Sequence, residues 1–309
     1  MTGKPIIIDC DPGVDDAIAL MLALRSSELA VQGITVVAGN VPLALTQRNA
    51  RQICELMGRQ DVPVYAGCPR PLVRSLVTAE EVHGKTGLEG ATLPEPTMPL
   101  QTTHAVSYLI ATLQAASEPL TLATLGPLTN LAVAIVQAPD VLDKIEQIVM
   151  MGGGITHGNV TPFAEFNIYV DPHAAHVVFE SGVPITMIGL DVTHQVLTTP
   201  ERLAAIRAVA TPASQVAVDV LSHYGKADEA RLGTIGAPLH DPCVIAYLLR
   251  PDLFQTELGD VKVEISSPLT LGQTVVSSSK SAIRRSVTIV TDADAPGIYD
   301  LLIKHLGNP

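Results

Sequence analysis

Asp9, Asp11, Asp15 and Asp16 set four carboxylates within eight residues, directly after the apolar run Ile6-Ile7-Ile8. So much negative charge in one place is costly unless a cation or protons offset it. Aspartate oxygens suit a hard divalent ion such as Ca²⁺ or Mg²⁺, and without nearby histidine the stretch does not read as a zinc site. Asp15 and Asp16 could instead only cap a helix, with Asp9 and Asp11 facing solvent. Four acids beside a buried strand favour the metal site over that plainer reading.

Further chemistry is spread along the chain. His83 lies in Val82-His83-Gly84-Lys85, and His240 stands next to Asp241 in Pro238-Leu239-His240-Asp241-Pro242. A lone loop histidine is as often a solvated surface group as a catalytic one, and Asp241 could simply cap the helix that follows. The segment from Asn159 to Asn167 adds two amides and Glu165. That set suits a polyhydroxylated ligand and equally suits ordinary turn chemistry. Gly152-Gly153-Gly154 lets backbone approach a ligand closely. Neither a Gly-x-Gly-x-x-Gly fingerprint nor a P-loop occurs, so no nucleotide phosphate site is expected.

The elements that must position these residues alternate between strand and helix. Ile6 to Ile8 reads as a buried parallel strand, Pro12-Gly13 as a turn, and Asp15 onward as a helix whose first turn favours acids. Further strands are predicted at 31–37, 62–65, 120–124, 145–151 and 184–188, and residues 190–194 are read as ending a strand. Helices are predicted at 43–57, 102–116, 131–137, 171–181, 200–209 and 212–224, and another opens around Pro242 and runs to Leu249. Residues 67–99 are rich in Pro and Gly and too long for an ordinary connection. Strands at 261–265, 270–276 and 286–290 and a helix at 296–306 read as a small extension of the sheet edge. The carboxylates thus collect at the carboxyl end of a strand, where open α/β sheets place their ligands.

With 309 residues, the expected organisation is one α/β domain over 1–309, its mostly parallel central sheet flanked by helices. Hydrophobic residues make up 47% and Trp is absent, so aliphatic side chains must fill the core. A net charge of −12 argues against nucleic-acid and anionic-membrane partners and for a small neutral or cationic ligand. Cys10, Cys54, Cys68 and Cys243 lack zinc-ligand spacing and read as free thiols of a reducing cytosol. The chain enters its first strand almost at once, so no cleavable signal is expected. The apolar stretch 119–138 is split by Gly126-Pro127 and Thr129-Asn130 and is not expected to span a membrane.

Taken in order, several segments together resemble the inosine–uridine-preferring nucleoside hydrolases over nearly the whole chain. They are 9–17, Gly39-Asn40, His83-Gly84, Gly126-Pro127-Leu128-Thr129-Asn130, 151–154, Ala164-Glu165-Phe166-Asn167, Asp191-Val192-Thr193 and His240-Asp241-Pro242. The resemblance implies a nucleoside hydrolase fold, one tightly bound Ca²⁺, and hydrolysis of the N-glycosidic bond of ribonucleosides in a cytoplasmic homotetramer. It assigns the metal to Asp11, Asp16, Asp241 and the main-chain carbonyl of Leu125, where the family often has Thr. It assigns ribose hydroxyls or the attacking water to Asp15, Asn40, Asn159, Glu165 and Asn167, with Asp11 as base for that water. It points to His240 as the donor that assists the leaving base, with His83 in reserve. The base pocket is expected from the His83 loop, Phe166 and the segment from Tyr224 to Arg231. Lack of Trp and similarity to bacterial pyrimidine-preferring members tilt the expected substrate toward uridine and cytidine.

Two other classes fit part of the pattern. An Asp9-x-Asp11 pair after an apolar strand suits a haloacid-dehalogenase-type Mg²⁺ phosphatase, but leaves Glu165-Phe166-Asn167 and His240-Asp241 unexplained. A non-catalytic nucleoside-binding module is commonly secreted and two-domained, and the chain shows neither sign.

Overall fold

Residue 6 onward, every side chain of the first strand is buried, and this strand lies inside the sheet between two parallel neighbours. The computed structural model describes residues 3–277 and 287–307, with residues 225–232 described by backbone alone. The first half of the chain runs β1 (Lys4–Cys10), α1 (Val14–Arg25), β2 (Leu29–Val36), α2 (Leu43–Leu56), β3 (Val64–Ala66), α3 (Glu80–His83), α4 (Ala105–Ala115), β4 (Leu120–Thr124), α5 (Thr129–Gln137) and β5 (Ile145–Met151). The second half runs α6 (Phe166–Val170), α7 (Pro172–Phe179), β6 (Ile185–Ile188), α8 (Leu190–Thr193), β7 (Leu197–Thr198), α9 (Pro200–Ala208), α10 (Pro212–Leu232), β8 (Ala237–Pro238), α11 (Pro242–Leu249), β9 (Phe254–Val263), β10 (Thr274–Ser277), β11 (Val287–Ala293) and α12 (Ala295–Gly307).

The main sheet has the order β10-β9-β11-β6-β5-β4-β1-β2-β3. It is parallel from β11 through β3, while β9 runs antiparallel to both β11 and β10. This is the mostly parallel α/β architecture expected, with the extra antiparallel strands at the C-terminal side. Strand alternation splits the core: Ile6 and Ile8 pack with α1, α2, α10, α11 and α12, whereas Ile7 faces α4, α5 and α7 on the other side. Helix α1 is buried from Val14 to Leu24 and, beyond Asp16, apolar on all sides because other helices cover it.

Register is what makes a site possible. Asp9 lies opposite Thr35 of β2 and Thr124 of β4, Thr124 opposite Met150 of β5, and Met151 opposite Ile188 of β6. The parallel strands therefore end level, and the residues just past them share one ledge.

Some expected boundaries move. Residues 190–193 form the short helix α8, opened by Gly189 and with Asp191 in its first turn. The segment read as loop up to Asn167 closes into α6, capped by Glu165. Strand β9 starts at Phe254, seven residues earlier than expected, and β11 extends to Ala293. The start expected for that last strand, Ser286, lies outside the described residues. All four cysteines are free, and among the described residues no helix is long and apolar enough to cross a membrane.

Candidate active site

Asp11 follows β1 directly and is fully buried. Its Oδ2 accepts from the Asn40 backbone N–H at 2.6 Å, while Oδ1 has no hydrogen-bond partner. Two glycines make this placement possible. A Cβ on Gly39 would come within 2.1 Å of Oδ2, and one on Gly126 within 2.2 Å of Oδ1. The Gly39-Asn40 and Gly126-Pro127 turns at neighbouring strand ends thus wedge one carboxylate between backbones.

Asp16, in the first turn of α1, accepts from the N–H groups of Asp11 at 3.2 Å and Gly13 at 3.0 Å, and from Asn40 Nδ2 at 3.0 Å. Asp15, Asp16 and Asp241 each offer an oxygen within 4.8 Å of the others, a group able to hold a metal ion. Asp241 arrives on the residue preceding α11, which packs on α1. Burial raises Asp11 and Asp241 well above the ordinary carboxylate range, with Asp16 the next cause for Asp11 and Asp15 for Asp241. Asp16 is raised by burial and by Asp15. Asp9 is pushed up to about 7 by burial, although Thr35 Oγ1 and Asn130 Nδ2 donate to its Oδ1. Carboxylates that destabilise one another in this way are the ones a divalent cation would reconcile.

A cleft of about 810 Å³, its open mouth included, rises above this ledge. Asp15, Asn40, Leu125, Asn159, Glu165, Phe166, Asn167, His83, His240 and Asp241 all line it; Asp11 and Asp16 lie behind that lining. Two main-chain carbonyls, of Leu125 at 2.8 Å and Met151 at 3.2 Å, take the Asn167 amide hydrogens. Any further bond Asn167 makes is therefore accepted through Oδ1. Glu165 accepts from the N–H groups of Asn167, Gly153 and Ile168, yet burial still lifts its carboxyl to about 7. Asn159 Oδ1 accepts from the Phe166 N–H at 2.9 Å.

The two histidines differ in a way that sequence could not show. His83 Nδ1 accepts from the Val14 N–H at 3.1 Å, which commits that nitrogen as an acceptor. His240 Nδ1 lies 2.7 Å from the Thr193 hydroxyl, which either nitrogen protonation state can satisfy. His83 also stacks obliquely on Tyr224, with ring centroids 5.6 Å apart, to form one wall. From 225 to 231 the base-side segment lies outside the described side chains. Sequence reading missed Thr193, Val77, Thr78 and Glu81, the last three lining the mouth. Thr193 alone had a signal, its place in the motif Asp191-Val192-Thr193.

A cleft lined by amides, histidines and Glu165 over a buried acidic ledge has the polar groups to hold a polyhydroxylated small molecule. Residues 6–300 match the model of the inosine-uridine preferring nucleoside hydrolase family, and the chain belongs to that family. It is 46% identical over 307 residues to the pyrimidine-specific ribonucleoside hydrolase of Photobacterium profundum, covering 99% of each chain. It is 45% identical over 306 residues to the enzyme of the same description from Escherichia coli O7:K1, covering 98% of each. The solved purine-preferring ribonucleoside hydrolase of Gardnerella vaginalis superposes with a TM-score of 0.92 at 33% identity, covering 98% of each chain. The protein is a ribonucleoside hydrolase, and neither a phosphatase nor a non-catalytic binding module.

Proposed function

We propose that the enzyme hydrolyses the N-glycosidic bond of pyrimidine ribonucleosides, uridine and cytidine, with calcium as its metal. The observation that carries this reading is the cleft itself, carboxylates on its floor and amides and Glu165 around them. Both pyrimidine-specific relatives stand nearer in sequence than the purine-preferring enzyme, at 46% and 45% against 33%.

Breaking the bond at C1′ builds positive charge on the ribosyl group, and the buried acids around Asp15 stabilise it without reorganising. Asp11 is the proposed base for the attacking water, its Oδ1 being the oxygen with no hydrogen-bond partner. Asp15, Asn40, Asn159, Glu165 and Asn167 would hold the sugar hydroxyls or that water, Asn167 as an acceptor. His240 would donate to the departing base, and His83, aimed by Val14, would hydrogen-bond the base through Nε2 alongside Phe166. The residues proposed for the metal are Asp11, Asp16, Asp241 and the Leu125 carbonyl, all hard oxygen donors; Asp16 and Asp241 cluster with Asp15, and Asp11 stands outside that cluster. When bound, a calcium ion supplies charge neutralisation, an anchor for vicinal hydroxyls and acidification of water. A cytoplasmic homotetramer is the assembly this reading carries with it, which light scattering tests.

The deciding experiment assays reducing sugar released from uridine, cytidine, inosine and 2′-deoxyuridine. Pyrimidine ribosides should lead in kcat/KM, and the deoxyriboside should be rejected strongly because buried polar groups lose their partner. Faster inosine hydrolysis would assign the enzyme to the purine side.

A further inference from the structure

We propose that Thr274, on the antiparallel edge strand β10, is a positioning residue for Glu165, and through it for the sugar. The inference rests on Glu165 reading a ribose hydroxyl. Thr274 is 3% exposed and sits 120 residues beyond the glycine turn it serves. Its hydroxyl accepts from the Gly154 N–H at 2.9 Å and donates to the Gly154 carbonyl at 2.6 Å. One side chain thus satisfies both backbone groups of a residue that no strand or helix holds.

The turn it clamps is the one that meets Glu165. Gly153 N–H donates to Glu165 Oε2 at 2.9 Å, and Gly153 has φ +76, a conformation glycine alone adopts freely. A Cβ there would press on Thr274 at 2.9 Å, so hydroxyl and turn fit closely. The β9–β10 connection also meets the segment that carries Glu165. Gln273 bridges Ala164, the residue before Glu165, and a Cβ on Gly272 would lie 3.0 Å from the Tyr169 backbone. Leu190 N–H and Gly153 carbonyl, 2.9 Å apart, tie the turn to the end of β6. The edge hairpin is therefore built against the segment that carries Glu165, and Thr274 is a polar side chain of it bonded to the turn that Glu165 uses.

The test compares wild type, Glu165→Gln, Thr274→Val and Thr274→Ser on uridine and its 2′-, 3′- and 5′-deoxy analogues. Each deoxy analogue lacks one hydroxyl, so the ratio of uridine to analogue shows which hydroxyl a variant has stopped reading. Glu165→Gln should collapse one ratio selectively. Thr274→Val should collapse the same ratio and lower kcat on uridine by up to about 10²-fold, the scale of a small misplacement near the chemistry. Thr274→Ser, which keeps the hydroxyl, should restore both. If Thr274→Val is insoluble, Thr274→Ala is measured against the same panel with the same expectation. Equal slowing on all four substrates, or no change, would overturn the inference, since a merely structural hydroxyl would not single out one sugar position. A flat profile for Glu165→Gln removes the sugar reading of Glu165, and the inference with it.

Discussion

Glu165→Gln also makes a stability prediction whose size follows from burial. The Glu165 carboxyl is buried and lifted from 4.5 to about 7, chiefly by desolvation, against three backbone N–H groups that lower it. That rise disfavours the ionised folded state by about 3 kcal/mol. The sign follows from which state binds the proton. Below pH 4.5 the group is protonated in folded and unfolded chains alike, and its contribution is intact. As pH climbs to about 7, the unfolded chain ionises while the folded one resists, so stability is lost through this window and is level above it. Glutamine cannot ionise. The difference in unfolding free energy, wild type minus Glu165→Gln, should therefore fall by about 2 to 3 kcal/mol between pH 5 and 8. Urea denaturation of both proteins at several pH values, with chelator throughout, measures it. The other buried acids titrate in both proteins and largely cancel in the difference. A difference that stayed flat or rose with pH would refute the view that Glu165 is held protonated by burial.

Three further outcomes are expected. Purified protein should retain about one Ca²⁺ per chain by elemental analysis, and Asp16→Ala or Asp241→Ala should lose it; activity untouched by chelation would remove the metal from the mechanism. His240→Ala should slow uridine hydrolysis by roughly 10²-fold or more, yet barely affect p-nitrophenyl riboside, whose leaving group needs no proton. Equal losses on both substrates would move His240 from leaving-group assistance to ribose positioning. Gly126→Ala drives a methyl to within 2.2 Å of Asp11 Oδ1, which should cost about 1 to 3 kcal/mol of stability and lower kcat/KM far more than the same change at Gly307, where the nearest atom lies at an ordinary 3.6 Å. Indistinguishable kinetics for the two alanine variants would take Asp11 out of the chemistry.

Much of this was legible because local signals agreed. Ile6-Ile7-Ile8, Pro12-Gly13 and the paired acids say strand, turn and helix start in order, and β1 and α1 form as read. Strand β9 hid its first half because Gln255 to Leu258 are all exposed and show no alternation. Helix α8 has the β-branched composition of a strand, and tertiary packing overrides that preference. The roles of the two histidines depend on Val14 and Thr193, partners 69 and 47 residues away. No local pattern encodes such pairings, and Thr274 is an ordinary strand threonine until the fold brings Gly154 to it.

The site joins segments that leave the ribosome far apart in time. Strand β1 is inside the sheet, so it has no complete set of neighbours until β4 emerges. Asp16 and Asp241 are 225 positions apart (16 to 241), a gap of roughly 10 to 45 seconds at ordinary rates of synthesis. Until α11 docks on α1, the acids of residues 9–16 remain hydrated and mutually repelling. Such non-local closure slows folding. A nascent chain stalled short of Asp241 would leave this acidic strand-to-helix turn open to proteases and to any passing divalent ion until the last carboxylate arrives.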